Sequence, residues 1–316
     1  MRKAYELCDG KIVESSNPDG PILVFINPEN GDRKFLLEEL KLDEHTLNSA
    51  LDPDELARLE FEPGHAALIF KRPRKFIDRE SLLFRVASTG AYLFKDRLVS
   101  GLEEDSPLFD SSKQLARCAS PADVMLKLIY RTIFHFLDHL KVINALTDEL
   151  EVKVNTSLEN RNLINLFTLE KSLVYYLNAL HSNAALIDKL KNSAAKMGLT
   201  TDQLEILDDI HVENNQCLKQ AEIYSNILAS LMDARASIVS NNLNVLMKTL
   251  NIITIGIMVP TLVVSAFSMN VKIPVQDHPH AFWIIIGLAF ASVAGFMLFW
   301  KFGEGDKTLS HLSKKR

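Results

Sequence analysis

Glycine is nearly missing from the middle of this chain: between Pro121 and Ser268 only Gly198 and Gly256 occur. With few residues that interrupt a helix, long helices are expected there. Cysteine is scarce too. Cys8, Cys118 and Cys217 are odd in number and widely spaced, which argues against a disulfide frame or zinc knot and fits reduced thiols in a cytosolic compartment. Neither the GxGxxG fingerprint nor a P-loop pattern is found, so no nucleotide site is expected. A formal charge of −5 over 316 residues leaves no footprint for nucleic acid. The opening MRKAYELCDGKIVESS lacks an apolar h-region and a small-residue cleavage site, so no signal peptide is expected.

Charge itself is absent from two runs. TLNIITIGIMVPTLVVSAFSMNV lies between Lys248 and Lys272, and AFWIIIGLAFASVAGFMLFW between His280 and Lys301. Each is about the length of a helix that crosses a bilayer's hydrocarbon core. The spacing predicts two transmembrane helices, about 249–269 and 281–300, joined by a short loop as a hairpin over 248–300. Arg235 and Lys248 precede the pair, Lys301, Lys307, Lys314, Lys315 and Arg316 follow it, and Lys272 is the loop's one basic residue. The positive-inside rule then places both termini in the cytoplasm, with a basic tail over 301–316.

Polar residues in the first span are ordered. Asn244, Met247, Asn251, Thr254, Met258, Thr261, Ser265 and Ser268 follow one another by alternating threes and fours, which puts them on one stripe of a helix. Every other position from Ile252 to Phe267 is apolar or glycine. Polar groups inside a membrane need partners or water. The second span offers a single hydroxyl, Ser292, and carries Gly287, Ala291 and Gly295 at a spacing suited to close helix packing. Apolar faces are therefore expected between the two spans, and the stripe on an axis shared with other copies, where several stripes enclose a conduit.

The preceding four-fifths read as a domain followed by a stalk. Strand candidates PILVFIN, HAALIFKR, SLLFRVAS and AYLFKDRLVSG are punctuated by turn residues, the last two flanking Thr89-Gly90, with a helical run near Leu36–Leu51. This predicts a small α/β domain over 1–120. Helical periodicity then fills a stalk over 121–247, opening at Pro121 after Ser120. A last helix starts near Thr201-Asp202 and meets no proline before Pro260; unbroken, it covers roughly 100 Å.

Three clusters hold oxygen or nitrogen ligands. Asp202, Glu205, Asp208, Asp209 and Glu213 crowd the head of the long helix; such acids can ligate Mg²⁺ but also suit a helix N-terminus. His135 and His139 flank Asp138 in HFLDH, a zinc-chelating spacing with no third ligand evident. Asp277, His278 and His280 share the loop; repeated around a ring they could collect divalent cations, although a polar connector is the plainer reading.

MKTLNIITIGIMVPTLVVSAFSMNVKIP, with its short loop and final apolar span, resembles the CorA family of divalent-cation channels. That family's signature at the end of the first span is Gly-Met-Asn, and Ser268-Met269-Asn270 stands in its place. Met247-Lys248, Thr254, Pro260-Thr261 and Phe267 match the upstream context, LEKSLVYYLNAL is similar to the family's stalk, and LDEHTLNSALDPDELARLE to its N-terminal domain. The resemblance implies an α+β membrane protein assembled as a homopentameric funnel in the cell (inner) membrane, conducting Mg²⁺ passively. It makes Asn270 the selectivity residue beside Met269 and Ser268. Met258, Leu250 and Met247 become candidates for an apolar constriction, and Thr261, Asn251 and Asn244 polar rungs. Asp209, with Asp208 beside it, is the positional match to a regulatory Mg²⁺ site. Mg²⁺ enters as the transported and regulatory ion; no cofactor, catalytic residue or nucleic-acid partner is implied. The serine in place of glycine bears on the choice of ion, so a Zn²⁺, Co²⁺ or Ni²⁺ transporter, proton-coupled or not, stands as the alternative. A membrane-anchored zinc hydrolase and a non-conducting scaffold are the readings from other classes.

Overall fold

The computed structural model describes residues 1–17, 19–74, 82–104, 118–156, 160–271 and 278–313, without the side chains of 155, 156, 160 and 303–313. The chain divides into two compact units, Met1–Asp233 and Ala234–Arg316. Lys272, Asp277 and the basic residues at 314–316 lie outside the described residues.

The first unit is built on a seven-stranded sheet in the order β2-β1-β3-β7-β6-β5-β4. Its strands are β1 Arg2–Cys8, β2 Lys11–Glu14, β3 Ile22–Ile26, β4 Arg58–Glu62, β5 His65–Pro73, β6 Val86–Phe94 and β7 Leu98–Leu102. All pairings are antiparallel except β3 with β7. Alternation along each strand feeds two cores, because successive side chains leave opposite faces. Ile22, Val24 and Ile26 enter one core with Leu68 and Phe70; Leu23 and Phe25 enter the other with Ala67, Ile69 and Val99.

Short helices cover the second of these cores: α1 Asn30–Lys34, a π-helical turn Phe35–Glu39, and α2 Glu44–Leu51, which contributes Leu47 and Ala50. Long helices cover the first: α3 Pro121–Thr156 and α4 Asn160–Asn192. Asn183 fastens α4 to β5 by accepting from the Lys71 amide and donating to the Lys71 carbonyl, both at 2.8 Å. A short α5 (Ala194–Met197) ends at Gly198, whose φ of 67° is left-handed, a conformation glycine reaches without strain. The next helix, α6, runs unbroken from Thr201 to Phe267, and α7 from Ala281 to Ser313.

The cap of α6 sits one residue earlier than Thr201-Asp202. Thr200 Oγ1 accepts from the Gln203 amide at 3.3 Å and Gln203 Oε1 accepts from the Thr200 amide at 2.9 Å, a reciprocal capping box. Ser120 and Asp123 repeat the arrangement at the start of α3. Gln203 joins the two, its Nε2 donating to Asp123 Oδ1 at 2.6 Å and to Ser120 Oγ at 3.1 Å. Burial alone would raise the Asp123 carboxyl, but donors from Gln203, Ala119 and Ser120 outweigh it and hold the group below its usual range.

Thr89-Gly90, expected as a turn, lies inside β6. A β-carbon at Gly90 would come within 2.7 Å of Ala50 Cβ and 2.9 Å of Tyr92 Oη, so the glycine serves a close approach to α2. The turn instead comes after Phe94.

Candidate functional site

Within the second unit the polar stripe of α6 is open. Asn244, Met247, Leu250, Asn251, Thr254, Met258, Thr261, Ser265, Ser268, Met269 and Asn270 are all exposed. From Asn251 to Phe267 the half-covered positions of the same helix are Ile252, Gly256, Val259, Pro260, Val263 and Phe267, which share the other side at helical spacing. On α7 the covered positions are Ala281, Ile285, Ile286, Ala289, Ser292, Val293, Phe296 and Trp300. Lys248 Nζ lies 5.7 Å from the Trp300 ring, so the two helices meet through these apolar surfaces. Gly287, Ala291 and Gly295, expected to serve close packing, are exposed instead. Nothing lies within 4 Å of where a β-carbon on Gly287 or Gly295 would sit. The covered sides instead mix branched and aromatic side chains with the small residues Gly256, Ala289 and Ser292.

The stripe's hydroxyls spend their protons on their own helix. Thr254 Oγ1 donates to the Leu250 carbonyl at 2.8 Å and Thr261 Oγ1 to the Ile257 carbonyl at 2.7 Å. Ser268 Oγ donates to the Ser265 carbonyl at 2.9 Å. A hydroxyl engaged in this way presents only oxygen lone pairs outward. Thr254, Thr261 and Ser268 therefore offer acceptors, which suit the protons of a cation's water shell, and the Asn side chains of the stripe add carbonyl oxygens beside their N–H donors.

At the end of α6 the Ser268 amide reaches the carbonyls of Val264 at 3.1 Å and Ser265 at 3.2 Å, and the helix stops there. Among the described residues the non-glycine positions with positive φ are Asp9, Asn27, Lys41 and Leu82, and Ser268 is not one of them. A β-carbon at this position thus meets no left-handed backbone. Met269 and Asn270 follow, both exposed.

Among the described residues of the single chain no three His, Cys, Asp or Glu stand together to hold one metal ion. Asp208 pairs with Lys191 at 2.7 Å, and Asp209 is exposed. In HFLDH, His139 Nδ1 lies 2.6 Å from the Tyr176 hydroxyl, while Asp138 turns outward to Lys141 at 3.0 Å. Burial, with a smaller contribution from neighbouring His135, pushes His139 down to about 4. It is a half-buried neutral histidine packed against the core rings of Phe84 and Tyr176. His278 and His280 stand with ring centres 6.0 Å apart.

By length and composition, α6 and the α7 segment Ala281–Phe302 are able to cross a membrane. A sheet domain with long helices, followed by two such spans, is the architecture of a membrane transporter of the CorA class. The model of the CorA-like Mg²⁺ transporter proteins matches residues 22–302, and the chain belongs to that family. A cobalt/magnesium transport protein CorA from Methanocaldococcus jannaschii is 23% identical over 305 residues, covering 92% of this chain and 94% of that one. The complete CorA magnesium transporter structure from the same organism superposes with a TM-score of 0.82 at 20% identity, covering 95% of this chain and 97% of that one. The full-length CmaX protein superposes with a TM-score of 0.73 at 16% identity, covering 96% of each chain.

Proposed function

We propose that this chain is a homo-oligomeric divalent-cation channel, five copies around one axis, that passes hydrated Mg²⁺ down its electrochemical gradient. The exposed stripe of α6 lines the conduit, and Asn270 forms the selectivity ring at the outer mouth with Met269 and Ser268. Both termini are cytoplasmic. The observation that carries this reading is the pairing of an apolar seam between the spans with an uncovered row of outward acceptors. Exposed to lipid, that row would lack partners; facing water in a ring, it is satisfied.

The chemistry suits the ion. Mg²⁺ sheds water reluctantly and prefers oxygen ligands. Neutral amide and hydroxyl oxygens can bind its water shell without holding the metal too tightly to release it. Met247, Leu250 and Met258 would narrow the path by dewetting. A negative-inside potential supplies about 4.6 kcal/mol per 100 mV for a double charge. Asp208 and Asp209, repeated between copies, would hold a regulatory Mg²⁺ that favours the closed form, with the Lys191 pair as the competitor for Asp208. The CorA relative carries cobalt and magnesium in its name, and Ser268 stands at the motif's first position, so ion competition belongs in the test.

Purified protein in vesicles should take up Mg²⁺ in a potential-dependent manner. Asn270→Ala should abolish the uptake or its preference for Mg²⁺ over Co²⁺ and Zn²⁺ while the oligomer persists on size exclusion. Unchanged uptake and unchanged preference would contradict the assignment.

A further inference from the structure

We propose that the first unit binds a nucleoside phosphate in the cleft between the start of β6 and the outer face of α4. The Phe84 amide donates to Ser172 Oγ at 2.9 Å, which holds this turn of α4 against the strand. Their chain neighbours Arg85 and Lys171 are thereby brought to one cleft, a cavity of about 320 Å³ that Arg74 also lines. That volume lies within the range, about 300–1,000 Å³, of small-ligand sites.

The three cations are not equally occupied. Arg74 is held by Glu103 at 2.9 Å and Glu104 at 3.4 Å. Arg85 and Lys171 have no carboxylate partner among the described residues; Lys171 Nζ stands 5.8 Å from the Tyr175 ring. Two cations that line one concave surface without a carboxylate partner among the described residues suit a phosphate, the guanidinium giving a bidentate fork and the ammonium a point charge. The rest of the lining fits the remainder of a nucleotide. Tyr175 is 38% exposed and lines the cleft with Leu83 and Val86, a wall on which a flat base can stack. Asp54, the one acid of the lining among the described residues, is an acceptor for ribose hydroxyls or an exocyclic amine. Cationic side chains here take the part that a glycine loop plays elsewhere, which is why no sequence fingerprint marks the site.

Titration calorimetry of the full chain in detergent, in divalent-free buffer, tests this with ATP, AMP and tripolyphosphate. ATP should bind saturably, more weakly as salt rises, and the Arg85→Ala/Lys171→Ala variant should lose about tenfold in affinity or more. Tyr175→Ala should weaken ATP and leave tripolyphosphate unchanged, which separates base stacking from phosphate attraction. Absence of saturable ATP binding, or equal affinity in the double variant, would overturn the proposal. So would equal binding of ATP and tripolyphosphate with no effect of Tyr175→Ala. Both cations are exposed, so circular dichroism of the variants should match the parent. The readout involves no ion flux and stands apart from the channel reading.

Discussion

Thr254 and Thr261 show how a membrane helix can carry hydroxyls without needing a protein partner for each. Each proton is returned to the carbonyl one turn back, and only the oxygen faces outward. Thr261→Val keeps the shape and removes that oxygen. The channel reading predicts reduced Mg²⁺ flux at unchanged oligomer stability, measured in vesicles and by size exclusion. His139 makes the opposite case, a group that sequence spacing offered to a metal and packing set against Tyr176 at the edge of the core. Its spacing with His135 was legible in HFLDH; its contact with Tyr176, 37 residues away, was not. A histidine held neutral in the fold and free to protonate when unfolded favours the unfolded chain as acid is added. The native pKa of about 4 lies below the ordinary 6.5, so stability should fall as pH drops from 6.5 toward 4, by up to about 3 kcal/mol. His139→Gln, which can still reach the Tyr176 hydroxyl, should flatten that fall in melting temperature followed by circular dichroism.

Among the elements, the joined caps of α3 and α6 rest on Gln203, which is only 6% exposed. Gln203→Glu keeps the acceptor for the Thr200 amide but sets a second carboxylate against Asp123. It should destabilise the first unit by about 1–3 kcal/mol in denaturant titration, and adding Asp123→Asn should restore most of the loss by returning a donor. A matching pair of melting curves for Gln203→Glu with and without Asp123→Asn would refute the bridge. Gly90→Ala should cost about 1–3 kcal/mol, because the new methyl must displace Ala50 or Tyr92. Both positions explain where sequence reasoning stopped. Thr200-x-x-Gln203 is a capping box, yet Thr201-Asp202 beside it is as plausible a cap until the hydrogen bonds are seen. Thr89-Gly90 reads as a turn because glycine's role in a close approach depends on α2, some 40 residues earlier. The β1–β2 hairpin did leave a signal: Asp9-Gly10, with φ of 50° and 73°, is the dipeptide a type I′ turn requires. The parallel pairing of β3 with β7 left none, since it joins Ile22 to Leu98 across the chain.

At the scale of the molecule, the two uncharged runs and the glycine-poor stretch carried most of the architecture, because bilayer length and helix continuity are written locally. The helical seam was harder to read. Gly287, Ala291 and Gly295 advertise close packing, but Ile285, Ala289 and Phe296 are the covered side of α7, and that choice depends on the partner helix. The central claim is that the α6 stripe faces water around an axis shared by identical copies. Its most direct test is cysteine scanning of α6 in vesicles, after Cys8, Cys118 and Cys217 are replaced by serine. The account predicts that thiols at Asn251, Thr254, Met258, Thr261 and Ser265 react with a charged methanethiosulfonate and that the reaction blocks Mg²⁺ flux. Thiols at Ile252, Val259 and Val263 should be inert. Reaction confined to those three, or labelling of the stripe that leaves flux untouched, would contradict it.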